Sequence, residues 1–209
     1  SVLTNISETH IDFHDSYERY KQMKKRIFNN HGKEDIAVLN LDNEEVLNLT
    51  RDIPSTKYYF SREKEEKCYL KDGIIYYDGK KVASTADIRI KGNHNYENIM
   101  AAIIVAKHFN ISDEAILKVL SEFKGVEHRI EYVTTIEERK FYNDSKSTNN
   151  KATMTALSSF DDPTILLMGG LDRGIPFDSL KPYLTHVKRI ECFGETKDKI
   201  KEFALSNQI

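Results

Sequence analysis

The chain has 209 residues, with 31 Lys and Arg against 33 Asp and Glu, a net charge of -2 and 39% hydrophobic residues. That size and apolar content allow one large domain or two modest ones with packed cores, and the near-neutral charge gives no overall attraction to nucleic acid or an anionic membrane. Cys68 and Cys192 stand alone and far apart, which argues against a disulfide framework or a thiolate metal site and fits a reducing, cytoplasmic setting; the longest apolar run, Ile99 to Ala106, is too short to span a bilayer, and Ser1 to Asn5 lacks the regions of a signal peptide.

Ser16 or Asp15 can cap a helix from Tyr17 to about Asn30, where Tyr20, Met23 and Ile27 give an apolar stripe and His31-Gly32 stops it. Ile36 to Asn40 reads as a short buried strand, Asp42 or Asn43 starts a small helix through Leu49, and Lys57 to Phe60 returns as a strand. Cys68 to Ala83 has the pattern of a hairpin ribbon, with turns at Asp72-Gly73 and Asp78-Gly79. Asn93 to Phe109 is strongly helical, and Ser112 caps a second helix ending at Lys124-Gly125. These two helices are expected to pack as a hairpin. Tyr58-Tyr59-Phe60 and Tyr76-Tyr77 read as strand packing, since no basic stripe accompanies them.

After Gly125 strand and helix alternate: Ile130 to Thr135, Lys140 to Tyr142, a helix to Phe160, Thr164 to Met168, a helix near Phe177 to Leu184, Arg189 to Phe193, and a last helix from Glu195. That pattern predicts an α/β unit with a parallel sheet, and a domain boundary near Gly125. Neither an internal repeat nor a low-complexity stretch is present.

Asn143-Asp144-Ser145-Lys146-Ser147-Thr148-Asn149 sets a carboxylate, an ammonium, hydroxyls and amides between a strand and a helix. The carboxyl end of a strand is where α/β sheets bind ligands, and Ser147, Thr148 and Asn149 are N-cap candidates. Taken alone the segment serves equally well as a polar loop that caps a helix.

Thr4 to Asp12, Gly92 to Asn98, Val126 to Glu131, Asn143 to Asn149 and Gly169 to Gly174 together resemble, in order, consecutive blocks of the Mur ligases, and the block around Asp144 is most similar to the D-glutamate-adding branch. The resemblance implies a partial central, ATPase-type domain at residues 1–125, followed by a Rossmann-like α/β C-terminal domain for the amino acid at residues 126–209. It also implies a cytoplasmic, monomeric enzyme of peptidoglycan precursor synthesis. Such an enzyme uses ATP and Mg²⁺ to phosphorylate the carboxylate of UDP-N-acetylmuramoyl-L-alanine, and the amine of D-glutamate then displaces phosphate. The family's GxxGK[ST] phosphate loop and catalytic glutamate segment are not in this sequence. The 209 residues are therefore expected to be an interior piece that does not turn over by itself.

Residue by residue, the resemblance makes His10 a magnesium ligand and Lys24 the lysine that becomes carbamylated. Lys25 is its close rival in Gln22-Met23-Lys24-Lys25-Arg26-Ile27. Asn95 and Asn98, three apart on a helix and so on one face, match an ATP-contacting pair, and capping is their ordinary reading. Arg129 matches an arginine that reaches the nucleotide, and Asp144 a carboxylate that accepts from ribose hydroxyls. Lys146 is expected to stabilise the transferring phosphate, Thr148 to bond the incoming D-glutamate, and Arg173 to hold its side-chain carboxylate. His94, His128 and Asp12 carry weaker roles, and His14, His31, His108 and His186 show no ligand spacing. The rivals are a folylpolyglutamate-synthase-like ligase, a non-catalytic nucleotide-binding module, and a receiver-like domain that leaves the first 125 residues unexplained.

Overall fold

A computed structural model describes residues 1–7, 14–172 and 174–209. They divide into two compact units, Ser1–Phe123 and Lys124–Ile209.

In the first unit one sheet runs in chain order through β1 (Val2–Leu3), β2 (Ile36–Asn40), β3 (Thr56–Ser61), β4 (Cys68–Lys71), β5 (Ile74–Tyr77) and β6 (Lys80–Ser84). Strands β1 to β4 are parallel, and β4, β5 and β6 are antiparallel. Turn chemistry sets the change of direction. Asp72-Gly73 and Asp78-Gly79 both hold positive φ at their two residues, 50° and 72°, then 49° and 71°. That is the two-residue turn whose twist matches a hairpin.

Among the described residues four helices cover the sheet: α1 (Tyr17–Lys25), α2 (Glu44–Leu49), α3 (Asn93–His108) and α4 (Asp113–Glu122). Ser16, Asn43 and Ser112 accept the backbone N–H of Arg19, Val46 and Ala115 and so start three of them. Helix α1 is shorter than its periodicity predicts and tightens into a 3₁₀ turn at Arg26–Phe28. Strand β2 is buried on both faces, as its unbroken apolar run requires. Ala37 and Leu39 join Tyr20, Phe28, Val46 and Leu49 on one side. Val38 faces Ile99, Met100, Ile103, Ile104 and Ile116 on the other. The result is a helix–sheet–helix sandwich, with α4 against β6.

The second unit departs from the expected alternation. Strands β7 (Glu131–Ile136) and β8 (Arg139–Asn143) form their own antiparallel ribbon, separate from the parallel pair β9 (Thr164–Gly170) and β10 (Val187–Gly194). Strand β8 therefore does not end in a parallel sheet. The cause lies in Glu137 and Glu138, whose φ values of 47° and 64° make a two-residue turn. Two glutamates carry none of the usual turn signature. Helix α5 (Asn150–Leu157) precedes β9, and α6 (Lys197–Ser206) follows β10. The helix expected near Phe177 to Leu184 is a 3₁₀ segment, Asp178–Tyr183, with Pro182 inside it; proline has no N–H to offer an α-helical ladder. Leu157, Leu180, Leu184, Val187 and Phe203 form this unit's core.

Candidate functional site

In the first unit the polar groups gather at the carboxyl ends of β2 and β3. Asn40 closes β2 and is 3% exposed; its Oδ1 accepts from the Asp42 N–H, and its Nδ2 donates to Glu97 at 3.4 Å. Asp42 takes the Ser61 hydroxyl at 2.5 Å on one oxygen and the Arg62 N–H at 2.6 Å on the other. Glu97 also receives Arg62 Nε at 2.6 Å. These bonds bring the first turns of α3 to the strand ends, the side of an open α/β sheet that binds ligands. Nothing in the sequence pattern signals this knot, because Arg62 and Glu97 are 35 positions apart.

Asn95 and Asn98 both lie in the first two turns of α3. The Asn95 amide nitrogen donates to Lys91 O at 2.8 Å, but the residue that caps α3 is Gly92 and no side chain bonds its first N–H groups, so the capping expected of the two asparagines is not made. The carbonyl oxygen of the Asn95 amide has no partner among the described residues and can still accept a bond. Asn98 is exposed and lines a groove with Val2, Thr4, Ala101, Ala102 and Val105. This groove is mostly apolar, with Thr4 and Asn98 its polar lining residues.

Lys24 and Lys25, hard to separate in sequence, differ in the structure. Lys25 Nζ is bonded to Asp52 at 2.6 Å, while Lys24 is exposed with its Nζ 5.5 Å above the Tyr20 ring. Lys24 is the one left available for modification. His10, Asp12 and Arg173 lie outside the described residues. Among the described residues no three His, Cys, Asp or Glu side chains gather as a metal site. Lys24 as an ammonium has no lone pair to offer; a carbamate on it would supply the oxygen ligands that magnesium prefers.

In the second unit two blocks distant in sequence are bonded together. Asp144 Oδ1 accepts the Ile130 N–H at 3.0 Å, the Lys146 N–H donates to His128 O at 3.0 Å, and Asn143 Nδ2 lies 2.9 Å from His128 Nδ1. Ser147 donates its hydroxyl to Asp144 Oδ2. Arg129 sits between His128 and Ile130, whose φ values of 66° and 46° are in the left-handed region. For a β-branched residue such as Ile130 that conformation is rare and is held only by surrounding bonds. Arg129 and Lys146 are both exposed, and neither forms an ion pair with a described residue. Two uncommitted cations beside a bonded carboxylate suit a phosphorylated ligand.

Asn149 is the residue that caps α5, accepting the Ala152 N–H at 2.9 Å, and Thr148 just before it is exposed. Asn150 Nδ2 reaches Pro176 O at 2.7 Å and Ser179 Oγ at 2.9 Å, tying the start of α5 to the loop after β9. In that loop Asp172 accepts from the Gly174 N–H at 2.8 Å and pairs with Lys199 of α6. The bond from Lys199, and then that from Gly174, hold the Asp172 carboxyl below its ordinary value.

Other residues prove structural. His31, read from sequence as a residue at a helix end without ligand spacing, bridges Ser55 Oγ at 2.7 Å and Ser1 Oγ at 2.9 Å. Lys67 lies 5.0 Å from the rings of both Tyr58 and Tyr77 and pairs with Asp78, so one lysine, already neutralised, accompanies those tyrosines. Burial pushes the Cys68 thiol far up, which leaves it inert.

Comparison with known proteins bears on the family and the fold. Residues 1–106 match the Mur ligase middle domain. Two relatives named UDP-N-acetylmuramoylalanine–D-glutamate ligase, from Bacillus pumilus and Geobacillus kaustophilus, are 46% and 49% identical over 95% and 98% of this chain. The chain spans 45% and 46% of their lengths. Among solved structures, a MurF from Acinetobacter baumannii matches 99% of the chain with a TM-score of 0.76 at 16% identity, covering 48% of that protein. MurF ligase from Thermotoga maritima in complex with ADP matches 95% with a TM-score of 0.71 at 17% identity, covering 50% of it. At such identities these two likenesses speak for the fold. The middle-domain match alone takes in 106 of the 209 residues, and with the shared mixed α/β fold it follows that the chain belongs to the Mur ligase family.

Proposed function

We propose that this chain is the middle and following part of an ATP-dependent ligase that joins D-glutamate to UDP-N-acetylmuramoyl-L-alanine through an acyl phosphate, in peptidoglycan precursor synthesis. The observation that carries the reading is identity of 46% and 49% to relatives of that name, sustained over 95% and 98% of the chain. Residues 1–125 take the nucleotide and residues 126–209 the amino acid. The enzyme works in the cytoplasm as a monomer and handles small molecules, neither nucleic acid nor membrane.

Each residue has a chemical task in this reading. The free Asn95 oxygen can accept from an exocyclic amine of adenine, and Asn98 offers a second amide in the lining of an apolar groove. Asp144 has lone pairs left after its bonds to Ile130 and Ser147, enough to accept ribose hydroxyls. Arg129 and Lys146 stabilise charge on the phosphates and on the transferring group. Thr148 bonds the amino acid and Arg173 grips its side-chain carboxylate with a bidentate fork. Magnesium, when bound at His10 and carbamylated Lys24, neutralises phosphate charge. Holding the amine in line with the acyl carbon removes much of the entropic cost of the step.

The test is the full-length ligase carrying this sequence. Phosphate release that requires ATP, UDP-N-acetylmuramoyl-L-alanine and D-glutamate together supports the reading; release with another amino acid and none with D-glutamate overturns it. Lys146→Ala is expected to lower the rate by at least about tenfold. Unchanged kinetics would remove Lys146 from the mechanism.

A further inference from the structure

Asn95 and Asn98 can serve a nucleotide only while α3 keeps its roll above the sheet. Successive helix residues turn by about 100°, so Glu97 points well away from the two amides. It shares a stripe with Met100, Ala101 and Ile104, all buried. At the strand ends that stripe closes on a carboxylate where an apolar side chain would be expected. The Arg62 and Glu97 side chains are 28% and 18% exposed and meet at 2.6 Å. Asn40 at the end of β2 adds its amide, and the Arg62 backbone is itself bonded to Asp42. Glu97 is thus fastened to the ends of two strands.

An ion pair withdrawn from water adds little net stability, and an apolar side chain of similar volume often does as well. What the pair supplies is direction. A side-chain amide stands about 6 Å from the helix axis, so a roll of about 20° would carry it about 2 Å, more than a hydrogen bond tolerates.

We propose that Glu97, gripped by Arg62 and Asn40, is a positioning residue that fixes the roll of α3 so that Asn95 and Asn98 meet the nucleotide. This rests on the nucleotide-binding reading above. The experiment uses calorimetric titration of the full-length ligase with AMP-PNP and magnesium, comparing wild type, Glu97→Met, Asn95→Ala with Asn98→Ala, and all three changes together.

The paired asparagine variant and Glu97→Met are each expected to weaken binding about tenfold, and the triple variant little further, as for residues acting through one another. Glu97→Met is expected to melt within about 3 °C of wild type, and Glu97→Gln, which keeps the bond to Arg62, to recover most of the affinity. If the asparagine variant weakens binding while Glu97→Met does not, or if the two effects add in full, the positioning role is wrong and the nucleotide reading stands. If the asparagine variant binds like wild type, the nucleotide reading falls and the inference with it. Should Glu97→Met fail to fold, Arg62→Lys, which keeps the charge and loses the fixed Nε geometry, takes its place in the same cycle.

Discussion

Asp144 shows how one carboxylate can hold two parts of a loop together and keep lone pairs to spare. Its bonds to the Ile130 N–H and the Ser147 hydroxyl fix the strained turn that presents Arg129. The sequence makes Asp144 conspicuous but cannot reveal that Ser147 supports it, since a serine three residues on reads equally as a helix cap. Lys24 is a similar case: the resemblance prefers it to Lys25 through Lys24-x-Arg26-Ile27-Phe28, and the Lys25–Asp52 bond is a difference between the two that sequence does not show. Asp172 gives a direct test at this scale. Its carboxyl is held below the ordinary 3.8, first by Lys199 and then by the Gly174 N–H. For an acid whose folded value is depressed, the contribution to loop order is complete above the ordinary value and is lost as pH falls through the lowered one. An NMR titration should therefore show Asp172 and the Gly174 amide moving at a midpoint below 3.8, and Lys199→Ala should raise that midpoint. A midpoint at or above 3.8 in the unaltered chain would show that the pair does not persist in solution.

Elements with strong local chemistry are legible from sequence alone, which is why three helix starts are marked to within a residue, at Ser16 or Asp15, at Asp42 or Asn43 and at Ser112, and Asp72-Gly73 and Asp78-Gly79 mark two turns. The β7–β8 ribbon is not, for the converse reason: Glu137 and Glu138 occupy left-handed conformations without glycine or asparagine to advertise them. Non-glycine residues are strained in that geometry by crowding at Cβ. The double substitution Glu137→Asn with Glu138→Gly supplies the residue types that this turn favours. That variant should be more stable by about 1 kcal/mol, read as a higher denaturant midpoint for the ribbon amides. Lower stability would mean that the turn seen here is not the one adopted in solution.

On the scale of the molecule, the two units differ in how completely they bury their sheets. Strands β2 and β3 are covered on both faces, with Ala37, Val38, Leu39 and Phe60 all nearly inaccessible. The β9–β10 pair packs only one face, through Leu166, Met168 and Ile190. On the other face Ile165, Leu167 and Phe193 are 55%, 69% and 54% exposed. Apolar burial is worth about 25 cal/mol per Å², so a sheet covered on one side has less to oppose the opening of its ladder. Local opening free energies follow such differences. Hydrogen exchange on the 209-residue chain in rising urea should then show residues 164–170 and 187–194 losing protection at lower urea than residues 36–40 and 56–61. Loss of both sets at one urea concentration would mean that the two units open as a single cooperative body, and that one-sided burial does not set the order in which this chain comes apart.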